Sequence, residues 1–126
     1  MKKILICGAT GFIGKNITIS LSKNKNYEIH AVRFKRPAYK TSENVKWHKV
    51  DLRNSSSVDK LIKGMDIVIQ AAATTSGSKD IVSKPYIHVT DNAVINSYMF
   101  RSAYANKVKH FIFPSCTVMY PSSKKA

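Results

Sequence analysis

Three glycines at three-residue intervals are the first residues in this chain that could do chemistry. Gly8, Gly11 and Gly14 follow the apolar run Ile4-Leu5-Ile6-Cys7, and Ile13, Ile17 and Leu21 then recur at helical spacing. A strand, a glycine turn and a helix in that order suit a diphosphate. The first glycine permits a sharp turn, the second lets backbone approach the ligand, and the third lets helix and strand close on each other. The opening of the helix, with the amides of Phe12 and Ile13, supplies unpaired N–H groups and the positive end of a dipole. A bare three-glycine pattern says little, but here the flanking strand and helix give the context the chemistry requires.

The elements that must position this turn can be read along the chain. Residues 27–34 alternate around Ile29, Ala31 and Val32 as a second strand, followed by a basic loop at 35–40. Val45, Trp47 and Val50 fit a third strand ending at Asp51-Leu52. Ser55, Ser56 and Ser57 offer N-caps for a short helix through Val58, Leu61 and Ile62, closed by Gly64. Residues 66–73 form a fourth strand and its exit, and 74–85 read as a long loop. The longest helix is predicted over 89–106, with Ala93, Tyr98, Met99, Phe100 and Ala103 supplying its inner face in some combination. A fifth strand is predicted over 110–115. Strands alternating with helices imply an α/β fold, a doubly wound parallel sheet of Rossmann type with at least five strands.

Composition narrows the classes. The chain has 126 residues, 44% of them hydrophobic, enough for one packed core. No apolar run approaches the roughly 20 residues of a membrane span, and the N-terminus is too briefly apolar for a signal peptide. Cys7 and Cys116 lie in separate apolar stretches with no ligand spacing, so no metal site is expected, and buried thiols in a reducing, cytoplasmic setting are. The formal charge is +14, yet only four of the 21 cations are arginines (Arg33, Arg36, Arg53 and Arg101). Scattered lysines describe a solvated surface better than a nucleic-acid reader, which favours arginine. A basic polyanion-binding domain is the third of three functional readings.

The turn is G-x-x-G-x-x-G, and four further segments agree with it. Val50-Asp51-Leu52, Gln70-Ala71-Ala72-Ala73, Asp91-Asn92 and Phe113-Pro114-Ser115-Cys116-Thr117-Val118-Met119-Tyr120-Pro121 follow in order. Together they resemble the extended short-chain dehydrogenase/reductase family of NAD(P)-dependent sugar-nucleotide epimerases, dehydratases and reductases. Among its subfamilies the GDP-fucose synthases are the most similar. The resemblance implies an oxidoreductase or isomerase acting on a nucleotide sugar. It assigns Gly8, Gly11, Phe12, Ile13 and Gly14 to the diphosphate and Asp51 and Leu52 to adenine. Ala71, Ala73 and Asn92 fall along the rest of the cofactor.

The family's catalytic hydroxyl falls at or beside Cys116, so Ser115 is the first candidate and Thr117 the second. Its Tyr-x-x-x-Lys pair belongs about two dozen residues further on. Tyr120 and Lys124 have the spacing but stand too close to Ser115 and too near the last residue for a helix to hold both. The chain is therefore expected to be the cofactor-binding domain, 1–126, incomplete, without the C-terminal substrate domain and inactive alone. A homodimer is implied through family helices, one of which the chain lacks. The second reading is a non-catalytic dinucleotide sensor or interaction module that kept the glycine turn.

The choice of nicotinamide cofactor rests on the second strand. Glu28 stands at its amino end, while Arg33, Lys35 and Arg36 follow its carboxyl end. A guanidinium there can pair with a 2′-phosphate, where NAD binders place an acid for the ribose hydroxyls. NADP is expected over NAD, with Arg33 on the 2′-phosphate.

Overall fold

The computed structural model describes residues 1–75, 78–115 and 121. In chain order the elements are β1 (Lys2–Cys7), α1 (Phe12–Leu21), β2 (Tyr27–Arg33), β3 (Val45–Lys49) and α2 (Ser55–Ile62), then β4 (Ile67–Gln70), α3 (Ser78–Ser83), α4 (Pro85–Ala105) and β5 (His110–Ile112). Among the described residues the strands form one parallel sheet in the order β3-β2-β1-β4-β5. This is the Rossmann-type arrangement that the alternation of elements predicts.

Because side chains alternate across a strand, β1 feeds two cores. Leu5 and Cys7 join Val58, Leu61, Ile62, Val68, Ile95 and Met99 beneath α2 and α4. Ile4 and Ile6 join Ile29, Ala31 and Ile69 on the other face, where Ile17 and Leu21 of α1 pack. A strand buried on both faces must be apolar at every position, and Ile4-Leu5-Ile6-Cys7 is. Burial pushes the Cys7 thiol up to about 12, so it is an inert core group.

Three sequence expectations change. The segment 74–85 is not wholly loop: it contains α3, and α4 begins at Pro85 rather than at residue 89. Proline suits that first position because its missing N–H would have no partner there. The inner face of α4 is Ile95, Met99, Ser102 and Ala103, while Ala93 is exposed and Phe100 is 48% exposed. Phe100 instead lies against the rings of Phe111 and Phe113, with centroids 4.8 and 6.1 Å away. Finally, α2 is capped by Asn54, whose Oδ1 accepts from the Ser57 amide at 2.9 Å, and not by a serine. Gly64, at φ 78°, then ends the turn after α2 as expected.

At the sheet edge, polar groups cross-link β2 and β3. His30 Nε2 lies 2.7 Å from Glu28 Oε1, and His30 Nδ1 lies 2.9 Å from His48 Nε2. Lys46 and Lys3 also pair with Glu28, at 3.2 and 3.9 Å. Burial, together with the charges of His30 and Lys46, holds His48 below the usual histidine range. A histidine with a depressed folded-state pKa lends stability above about pH 6.5 and loses it as pH falls through its folded value. Urea melts should therefore show weakening just below that pH, and His48→Gln should abolish this step. The separate loss below about pH 4, from carboxylates such as Glu28 and Asp66 whose pKa values are lowered, should remain.

Candidate functional site

The strand order reverses at β1. The chain runs outward through β2 to β3, then returns to β4 on the other side of β1. Loops leaving β1 and β4 diverge at such a point and open a crevice at the carboxyl ends of the strands. A cleft of about 400 Å³ lies there, and Gly8, Gly11, Arg33, Asp51, Leu52, Ala71 and Ala73 all line it. These are residues that the sequence singles out separately, brought together from the ends of β1, β2, β3 and β4.

The glycines are not equivalent. Gly8 has φ +73°, and a Cβ there would lie 2.7 Å from the Ala71 carbonyl oxygen. A Cβ on Gly14 would lie 2.2 Å from the Gly8 carbonyl oxygen, so the helix rests on the exit of β1 with no side chain between. Those two glycines serve the protein's own backbone. Gly11 has extended backbone, and its Cβ would meet only the Gly8 oxygen, at 3.3 Å. Gly11 is the N-cap of α1; it makes no side-chain cap, and no acid stands in the first turn. Phe12, Ile13 and Gly14 do not line the cleft; Phe12 and Ile13 expose their side chains, and the three follow Gly11 in the first turn of α1. An anion is the group that this helix opening suits, since its first turn carries a positive dipole end and no acid of its own.

The segment after β2 crosses the outer side of the turn. Arg36 donates to the Thr10 carbonyl at 3.4 Å, Arg33 to the Arg36 carbonyl at 3.5 Å, and the Tyr39 hydroxyl to the Ala9 carbonyl at 3.3 Å. Arg33, Lys35 and Arg36 all line the cleft. Glu28 sits at the other end of β2 within its cluster of Lys3, His30 and Lys46, as its position in the strand predicts.

The exits of β3 and β4 build the opposite wall. Asp51 is bound by Arg53, whose hydrogen bonds hold the carboxyl below the usual carboxylate range. Leu52 is buried in the α2 core. The Ala71 amide donates to the Cys7 carbonyl at 3.2 Å, and buried Gln70 donates to the Ala72 carbonyl and to Asn96. Asn92 does not line the cleft. It clasps Thr74, accepting from its amide at 2.7 Å and donating to its carbonyl at 3.2 Å. Ser115 follows β5 and is exposed, whereas Cys116, Thr117, Tyr120 and Lys124 lie outside the described residues. The sequence reading gave no site role to Thr10, Phe34, Arg53 or Thr74, which also line the cleft. Arg53 had a signal: a cation two residues after an acid at a strand exit.

Comparison with known proteins agrees with this geometry. The family described as NAD dependent epimerase/dehydratase matches residues 4–126, and the chain belongs to it. It is 33% identical to GDP-mannose 3,5-epimerase 1 of Oryza sativa subsp. japonica over 98% of the chain and 33% of that protein. It is 29% identical to GDP-L-fucose synthase of Azorhizobium caulinodans over 96% of the chain and 35% of that protein. The chain thus spans about a third of the length of these curated relatives. Among solved structures, UDP-glucose 4-epimerase from Bifidobacterium longum in complex with NAD+ and UDP shares the fold. Its TM-score is 0.78 at 21% identity, covering 98% of this chain and 40% of that one.

The unequal glycines generate a stability test. Gly14→Ala should destabilise the fold by about 1–3 kcal/mol or more, since backbone must move to admit the methyl group. Gly11→Ala should cost less, because its Cβ would meet a single oxygen at 3.3 Å where that of Gly14 would meet one at 2.2 Å. Urea melts of the two variants check the ranking.

Proposed function

We propose that this chain is the cofactor-binding portion of an epimerase, dehydratase or reductase acting on a sugar nucleotide, and that it takes NADP(H) in preference to NAD(H). The observation that carries the reading is the opening of α1. There Gly11 leaves backbone amides bare at the one place where the strand order reverses. Gly11 and the amides of Phe12, Ile13 and Gly14 would hold the diphosphate, and Asp51 and Leu52 would border adenine. Ala71 and Ala73 would run along the rest of the cofactor. Asn92 would act one step away, by fixing the loop at Thr74. A bound nicotinamide would supply hydride exchange with a sugar carbon. Ser115 would contribute the hydroxyl nearest the end of β5, with Thr117 and Cys116 its neighbours in sequence.

The sugar-nucleotide substrate is supported by the relatives, among them GDP-mannose 3,5-epimerase, GDP-L-fucose synthase and UDP-glucose 4-epimerase. The preference for NADP(H) is supported by Arg33, Lys35 and Arg36 on the cleft wall and by Glu28 at the far end of the same strand. Against it stands the NAD+ held by the Bifidobacterium enzyme, so affinity must decide.

Calorimetric titration should show NADPH binding more tightly than NADH. Arg33→Ala should lower NADPH affinity roughly ten- to a hundredfold, the worth of a charge-assisted hydrogen bond, and leave NADH nearly unchanged. Gly11→Val should keep the fold and remove binding of both. An unchanged NADPH-to-NADH ratio in Arg33→Ala would refute the preference, and no heat from either dinucleotide with folded wild-type protein would refute the site.

A further inference from the structure

One guanidinium ties together three segments at the end of the cleft assigned above to adenine. The Arg53 amide and Nε each donate to Asp51 Oδ1 at 3.0 Å, and a terminal nitrogen donates to Asp51 Oδ2 at 2.9 Å. The other terminal nitrogen reaches Asp91 Oδ2 on α4 at 3.3 Å. The guanidinium carbon also stands 5.6 Å from the centre of the Phe34 ring, at the exit of β2. Phe34, Asp51, Arg53 and Asp91 all line the cleft.

This arrangement does more than join chain segments. A carboxylate has about four acceptor positions, and Arg53 occupies three of those on Asp51. The fork fixes the plane of the carboxylate, keeps it ionised and leaves one acceptor position on Oδ2. A rigid anionic acceptor with one open position favours a base that presents an N–H and disfavours one that presents a carbonyl. Adenine carries its amine at C6; hypoxanthine has a carbonyl oxygen there and its nearest N–H one ring position away, at N1, so an acceptor fixed opposite the C6 substituent tells them apart. The three charged side chains are 42%, 38% and 30% exposed, so the network is worth little as a stability device.

We propose that Arg53 is a positioning residue that sets Asp51 as the base-selecting acceptor and anchors it to α4 through Asp91. The inference rests on the dinucleotide reading of the cleft. Its scope is the choice of base, which neither the glycine turn nor Arg33 governs.

The test titrates NADPH and its hypoxanthine analogue into wild-type protein, Arg53→Met and Arg53→Lys across pH, with thermal melts alongside. Wild-type protein should prefer the adenine form by roughly tenfold, the worth of one hydrogen bond to a charged acceptor. Arg53→Met should bring the two forms to within about twofold of each other. It should also raise the pH at which NADPH affinity fades on acidification, because Asp51 then takes up its proton nearer the ordinary carboxylate range. Arg53→Lys keeps the charge without the fork, so it should lose base preference yet hold the acid limb low. If Arg53→Met does not fold, the lysine variant carries the test. Undiminished base preference in the folded variants overturns the inference. Failure of wild-type protein to bind either dinucleotide overturns the cofactor reading beneath it instead.

Discussion

Everything in this fold depends on how closely α1 can approach the strand that feeds it. A Cβ on Gly14 would sit 2.2 Å from the Gly8 carbonyl oxygen, and one on Gly8 would sit 2.7 Å from the Ala71 carbonyl oxygen. Two side chains are therefore absent so that three pieces of backbone can touch. That contact fixes the entry of α1 beside the crevice between β1 and β4, where Gly8, Thr10 and Gly11 line the wall. The third glycine is different in kind, since its Cβ would not be caught between segments of backbone.

The rest of the site is arranged around polarity along single strands. In β2 the acid at position 28 and the cation at position 33 stand at opposite ends, and only the second reaches the cleft. The acid spends its charge on Lys3, His30 and Lys46 at the sheet's other rim. In β4 the apolar stretch ends at Gln70, a buried amide whose bonds to Ala72 and Asn96 shape the exit instead of entering the crevice. Charge in this molecule is thus informative by location, not by total: the many lysines say less than one arginine at the right end of a strand.

Much of this architecture could be read before any coordinates. Ile4-Leu5-Ile6-Cys7 and the glycines after it define strand, turn and helix by composition alone, because full burial and close approach each admit few residue types. The start of α4 is hidden in the sequence because the segment before it is rich in Ser, Thr and Lys. Apolar spacing is silent there, and Pro85 reads as a breaker although it opens the helix. The inner face of α4 was only half visible, since Ser102 takes a buried place and Phe100 finds its partners on β5 and beyond. For Arg53 the sequence shows one partner, Asp51, two residues before it, and hides the other. Its second partner, Asp91, lies 38 residues away, and nothing local to either residue announces the pairing.

The edge strand β3 carries an optical probe packed against the crossover that precedes it. The chain has one tryptophan, Trp47, whose indole donates to Thr41 at 3.2 Å and meets the Tyr39 ring edge-on at 4.9 Å. Tyr39 in turn holds the Ala9 carbonyl and lies under the Lys15 ammonium, 5.1 Å from its ring centre. The aromatic pair thus joins the glycine turn to the outermost strand, alongside the hydrogen bond from the Ala9 amide to the Val32 carbonyl at 3.0 Å. The single indole therefore sits two rings away from the backbone of the glycine turn, so its emission reads the packing between that turn and the edge of the sheet.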